Sequence, residues 1–120
     1  PKDEVGDAQT LDVKLWVNGE LRPNYNTSDA AHSIAESIAW ATAITPVEPG
    51  DVLFMGTNHQ GLGAMQDGDK VEMEISRIGR FAVNVADPSK RRWPRGVDKV
   101  TAADVVAGTG GPGSKSRPLK

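Results

Sequence analysis

The sequence predicts a mostly β fold with short helices, and three observations lead there. Apolar and polar residues alternate with period two along Leu11–Val17, Val71–Ile75 and Phe81–Val85, the pattern of strands with one inward face. Turn-forming pairs such as Asn18-Gly19, Pro49-Gly50 and Gly68-Asp69 punctuate those runs. One alanine-rich stretch of helical spacing, Ala30 to about Ala43, follows a cluster of helix-capping residues.

Leu11, Val13, Leu15 and Val17 form the inward face of the first strand, and Trp16 falls on the other face, to cover a neighbouring layer or meet another subunit. Asn18-Gly19 is a strong hairpin signal, because both central residues of the tightest hairpin turn take positive φ. The return strand, Glu20-Leu21-Arg22, is expected to stop at Pro23, which cannot donate to a ladder. Asn26-Thr27-Ser28-Asp29 supplies N-caps for the helix. Ala31, Ile34, Ala35, Ile38 and Ala41 make its apolar stripe, and so many alanines imply close packing on a sheet. Thr45-Pro46 ends it, since a residue before proline avoids the α region.

Val52–Met55 is a continuous apolar run after the Pro49-Gly50 turn, expected as a strand buried on both faces. It delivers Gly56-Thr57 and the loop Asn58-His59-Gln60-Gly61-Leu62-Gly63. A glycine, a hydroxyl and a polar glycine-rich loop at a sheet rim are suited to a ligand, with Gly56 letting the backbone come close to something. A plain strand-to-loop exit has the same spacing. After the Asp67-Gly68-Asp69 turn, Val71, Met73 and Ile75 point inward and Glu72 and Glu74 outward. Ile78-Gly79 then turns the chain into a second antiparallel hairpin. Residues 1–86 form the domain, and 87–120 a surface strap and tail: the basic run Lys90-Arg91-Arg92-Trp93-Pro94-Arg95 lies on the surface. Val97–Ala107 holds one or two helical turns with Thr101 as N-cap, and Gly108–Lys120 is flexible unless docked.

At 120 residues the chain is at most one domain. It is 25% charged and 38% hydrophobic with net charge −2, which suits a soluble globular protein and gives no reason for a polyanionic partner. No apolar run nears the roughly 20 residues of a membrane helix. Cysteine is absent, excluding disulfides, thiolate nucleophiles and cysteine zinc sites, and a cytoplasmic setting fits. The start, Pro1-Lys2-Asp3-Glu4, carries no initiator methionine, and the beginning is expected to have been cut away.

The order of strand, Asn-Gly turn, Asn-Thr-Ser-Asp cap, Glu48-Pro49-Gly50-Asp51-Val52, Gly56-Thr57, Gly68-Asp69-x-Val71-Glu72-x-Glu74-Ile75 and Ile78-Gly79 resembles the C-terminal half of the fumarylacetoacetate hydrolase family catalytic domain. The resemblance spans roughly two thirds of the chain. It implies a mixed β-roll or barrel-like fold, incomplete in this chain. It also implies a divalent-metal enzyme (Mg²⁺ or Mn²⁺) that polarises a 1,3-dicarbonyl or 2-keto acid and stabilises an enolate during C–C hydrolysis, decarboxylation or isomerisation. The family's metal-binding carboxylates come from sequence before this chain's start, so no metal ligand is assigned here. The N-terminal half, in a separate chain or an unjoined segment, is the implied partner, and a homo-oligomer of at least two copies is implied too. The substrate-binding residues carried over are Gly56 and Thr57, with Asn58, His59 and Gln60 on the rim, where the family commonly continues Gly-Thr-Pro-x-Gly-Val-Gly.

No residue is assigned as catalytic, and His59 is the one candidate: a proton shuttle or substrate donor, or else a residue bonding the loop to itself. Glu72 and Glu74 share a strand face about 6–7 Å apart, yet Lys70 stands beside them and a solvated face is the better reading. His32 and Glu36, four apart, read as an ion pair or cap contact rather than an acid–base pair. The basic strap lacks the wide positive field and stacking residues that nucleic acid requires. Two function classes remain: the pocket-wall half of a metal-dependent enzyme, or a non-catalytic binding or scaffold β-domain of the same fold.

Overall fold

The computed structural model describes residues 2–57 and 61–107. Four strands, β1 (Asp12–Val17), β2 (Glu20–Asn26), β3 (Lys70–Ile75) and β4 (Gly79–Asn84), form one antiparallel sheet of order β2-β1-β3-β4 that does not close on itself. Among the described residues three short α-helices accompany it, α1 (Lys2–Val5), α2 (Ile34–Thr42) and α3 (Lys99–Ala107), with 3₁₀ turns at Ala8–Thr10 and Thr27–Asp29. Residues directly opposite one another share a face. The register therefore gathers Val13, Tyr25 and Ile75 with Leu15, Met73 and Phe81, and with Val17, Val71 and Val83, on the apolar side. Leu11, Val13 and Val17 are buried there, whereas Phe81 and Val83 stay exposed near the β4 edge.

On the opposite face Trp16 pairs with Glu72. It is half-buried under the Arg80 guanidinium, 4.5 Å above its ring, a cation–π contact. Arg80 also bridges Glu72 at 3.2 Å and Glu74 at 3.7 Å, and Lys70 reaches Glu72 at 3.1 Å. Trp16 is thus covered from within its own sheet.

The first hairpin forms as its sequence dictates, with Asn18 at φ 51° and Gly19 at φ 82°. The return strand does not stop at Pro23 but runs to Asn26. Lys14 pairs with Asn24 and Trp16 with Leu21, leaving Arg22 and Pro23 together opposite Leu15 in a bulge. A bulge on an edge strand is where a missing amide is tolerated.

The helix begins at Ile34, later than its alanines suggest. Asn26 spends its cap on a 3₁₀ turn, Thr27–Asp29, accepting from Ser28 N at 3.0 Å, and Ala30 is extended. Ser33 is the cap of α2: its Oγ accepts from Glu36 N at 3.1 Å while the Glu36 carboxylate accepts from Ser33 N at 2.8 Å. Only Ala41 of α2 is buried, so the expected close packing on a sheet is not observed. Neighbouring loops hold the helix start instead. Gln9 Oε1 accepts from Ile34 N at 2.9 Å, and Gln9 Nε2 donates to Thr27 O at 3.0 Å.

The Pro49-Gly50 turn forms, with Gly50 at φ 104° and Asp51 Oδ2 accepting from Glu48 N at 2.8 Å. Val52–Met55, expected as a strand buried on both faces, is neither: it has no regular structure, and Phe54 is 91% exposed. A strand exists only through lateral neighbours, and among the described residues none runs beside this segment. Beyond β4, Asp98 rather than Thr101 caps α3, its Oδ1 accepting from Val100 N and Thr101 N at 3.1 Å each. The tail Gly108–Lys120 lies outside the described residues. No described helix is long and apolar enough to cross a membrane.

Replacing Asn18-Gly19 by Ala-Ala forces two side chains into positive φ and removes the Asn18 amide. The expected loss is about 2 kcal/mol or more, read as a fall of several degrees in the thermal unfolding midpoint; an unchanged midpoint contradicts this role for the turn.

Candidate functional site

Gly56-Thr57 lines an open cleft of about 850 Å³ bounded by the end of β2, the start of α2 and the segment 53–57. Its walls are mainly apolar, with Ile34, Trp40, Leu53, Phe54 and Met55, while Tyr25, Thr27, Asp29, His32 and Glu36 add polar groups. Gly56 is at φ +79°, and a Cβ there would meet nothing within 4 Å. Its glycine is therefore demanded by backbone conformation rather than by a close approach. The positive φ at Gly56 leads to Thr57, whose Oγ1 is 3.4 Å from the Tyr25 phenol oxygen.

Of the residues the sequence singles out, Gly56 and Thr57 line the cleft. Asn58, His59 and Gln60 lie outside the described residues. His32 borders the cleft but precedes α2 rather than sharing a helix face with Glu36. The Glu36 carboxylate is held below the usual range first by the Ser33 amide and then by the Ser33 hydroxyl, with His32 a lesser contributor. It is a helix cap. Tyr25 is the cleft residue that sequence reasoning missed. Its signal was the register: with β2 extended through Pro23, Tyr25 stands opposite buried Val13 on the apolar face.

The loop resuming at Gly61 is fixed from below. A Cβ on Gly61 would fall within 2.5 Å of the Arg22 backbone, and one on Gly63 would collide with Gly96 O. Arg22 is buried, its Nη2 3.0 Å from Glu20 and its Nη1 3.5 Å from Gly61 O, while its Nε has no partner among the described residues. Beside it Asp69, 1% exposed, accepts from Asn18 Nδ2 at 2.9 Å and Gln66 N at 3.0 Å, and pairs with Arg95 at 2.9 Å. Those bonds, the Asn18 amide foremost, hold its carboxyl below the usual aspartate range. The strap is tied down the same way: Lys90 meets Asp67 at 2.6 Å, Arg91 meets Asp87 at 2.9 Å, and Trp93 Nε1 donates to Met65 O at 2.9 Å.

These carboxylates do not fit a divalent-cation site. Among the described residues no three of His, Cys, Asp or Glu converge. Glu72 is held low chiefly by Lys70 and also by Arg80, and Asp69 is enclosed by Asn18, Gln66 and Arg95.

Residues 1–86 match the family described as fumarylacetoacetate (FAA) hydrolase C-terminal. The chain belongs to the fumarylacetoacetate hydrolase family. It is 37% identical over 84 residues to a maleylpyruvate hydrolase of Aquipseudomonas alcaligenes, a span covering 70% of this chain and 29% of that protein. It is 35% identical over 81 residues to the 4-hydroxyphenylacetate degradation bifunctional isomerase/decarboxylase of Escherichia coli, covering 68% of this chain and 19% of that one. The crystal structure of maleylpyruvate hydrolase from Sphingobium sp. SYK-6 in complex with manganese(II) ion and pyruvate superposes with a TM-score of 0.67 at 43% identity, over 70% of this chain and 31% of that one. The chain thus spans less than a third of the length of each of these relatives, which are named as hydrolases, isomerases and decarboxylases.

A carboxyl held low by native contacts stabilises the fold above its unfolded pKa, and that contribution is lost as pH falls through the folded value. Asp69 predicts acid destabilisation beginning near pH 4 and continuing below it. Asp69→Asn, unfolded by heat across pH 2–7, is expected to be less stable at neutral pH and to show a flatter acid limb; parallel limbs contradict the assignment.

Proposed function

We propose that these residues form the pocket wall of a divalent-cation-dependent enzyme acting on a 2-keto acid or 1,3-dicarbonyl compound. Gly56-Thr57 is its substrate-binding turn. The observation that carries this reading is the Thr57 hydroxyl, which follows a glycine at positive φ on the wall of a largely apolar cleft, within the segment matched to the family. Thr57 Oγ offers a donor to a carboxylate or keto oxygen, and the apolar walls offer contact to the carbon skeleton beside it.

Because Glu72 and Asp69 are committed to basic partners and no three ligating side chains converge among the described residues, the cation (Mg²⁺ or Mn²⁺) is assigned to residues outside these 120. A further polypeptide segment completes the site, and the exposed apolar run Val52–Met55 supports that reading. A relative's structure with manganese(II) and pyruvate supports the ligand class. Asn58, His59 and Gln60 are proposed for the rim, with His59 the candidate proton carrier. The whole enzyme is proposed as a cytoplasmic homo-oligomer.

The test uses the intact protein carrying this sequence, screened with Mg²⁺ or Mn²⁺ on oxaloacetate, acylpyruvates and open or cyclic 1,3-diketones. Thr57→Val is nearly isosteric and is expected to lower kcat/KM at least tenfold, as loss of a hydrogen bond to a charged oxygen does, with the unfolding midpoint unchanged. Parallel loss of activity and stability contradicts a substrate role.

A further inference from the structure

We infer that Tyr25 is a second ligand-binding donor, forming with Thr57 a two-hydroxyl cradle for one oxygen of the substrate's carboxylate or keto group. This rests on the substrate role proposed for Thr57 and extends it to a residue on a different element, 32 positions away in sequence.

The geometry carries the argument. At 3.4 Å the two hydroxyl oxygens are too far apart for a strong direct bond, because such bonds cluster near 2.7–2.8 Å. The spacing suits a shared third atom. Two donors 3.4 Å apart, each about 2.75 Å from a common acceptor, subtend an angle of about 75° there. Two lone-pair regions of one carboxylate or keto oxygen accommodate that angle, and a developing negative charge is stabilised most when donors are already placed around it. Either hydroxyl is free to donate, since both rotate to suit the acceptor.

Tyr25 is placed by its strand, and the backbone before Thr57 is set by Gly56. Tyr25 is half-buried on β2, opposite Val13, which is 5% exposed. Asn26, next along the strand, is tied back by its amide to Asp12 at 2.8 Å and to Thr10 O at 3.3 Å. The pair is exposed to the cleft rather than packed away, so an incoming oxygen reaches both. Trp40, Leu53 and Phe54 line the same cleft, and they offer an apolar bed for the carbon chain that follows the bound oxygen.

The test measures pyruvate affinity by calorimetry in the intact, Mn²⁺-loaded protein for wild type, Tyr25→Phe and Thr57→Val, with thermal unfolding as the control. Tyr25→Phe keeps the ring and its packing and removes only the donor. It is expected to weaken pyruvate roughly three- to tenfold with little change in unfolding midpoint. Replacement of Tyr25 by 3-fluorotyrosine, a stronger donor of nearly the same shape, is expected to tighten binding below the pH at which that phenol ionises. Wild-type affinity in Tyr25→Phe alongside weakened binding in Thr57→Val overturns the cradle and leaves the Thr57 reading standing. Undiminished affinity in Thr57→Val overturns that reading and the shared cradle with it. If Tyr25→Phe lowers the unfolding midpoint by several degrees, the fluorotyrosine protein decides, and unchanged affinity there overturns the proposal.

Discussion

One buried carboxylate ties the first hairpin, the turn before β3, the end of β4 and the basic strap together. Stripping an aspartate of water costs heavily unless donors replace the solvent, and Asp69 draws its donors from its own turn and from two distant pieces of chain. Asn18 comes from the first hairpin turn, Gln66 N from the loop entering β3, and Arg95 from the basic strap. The Asp69 backbone adds a fourth tie, accepting from Val85 N at 2.8 Å just beyond β4. Sheet, loop and strap therefore share a single anchor. The loop that resumes at Gly61 after the Thr57 turn inherits its position from that anchor, because Arg22 and Gly96 press against it from the same cluster.

Against this well-tied centre stands a surface of a different kind. Trp40, Ile44, Val47, Val52 and Phe54 all present large apolar side chains to solvent. Of these, Trp40 and Phe54 share the wall of the cleft, and contiguous apolar surface of that sort marks interaction sites. In the assembly proposed above, they face the remainder of the catalytic domain. On the same proposal that remainder supplies the cleft's far wall, and the near wall carries the Thr57 and Tyr25 hydroxyls.

How far this was legible from sequence depended on whether the governing force was local. The Asn18-Gly19 turn, the alternation in β1 and β3 and the turn at Pro49-Gly50 rest on φ preferences and period-two patterning, and each formed where the residues said. The extension of β2 through Pro23 was hidden, because it depends on a bulge and an edge position that no window of the sequence displays. Capping chemistry was readable in kind but ambiguous in place: Asn26, Ser33 and Asp98 all qualify, and hydrogen-bond competition chose among them. The buried strand expected at Val52–Met55 failed for the plainest reason. Hydrophobicity declares a wish for cover, and only a neighbour grants it. Within the site, Gly56-Thr57 was visible through motif resemblance, whereas Tyr25 became visible only once register placed it.

Pro23 and its bulge bear on how the sheet meets the outside world. An outer strand ordinarily invites a stranger to zip alongside it, the first step toward fibrils or exchanged subunits. On the β2 flank that invitation is spoiled by a residue with no amide hydrogen and a break in the pleat. The β4 flank, with every residue from Gly79 to Asn84 exposed, carries no proline. The sheet is therefore lopsided as a template: any strand recruited from elsewhere has one hospitable margin, and it lies two strands away from the hairpin that carries Tyr25.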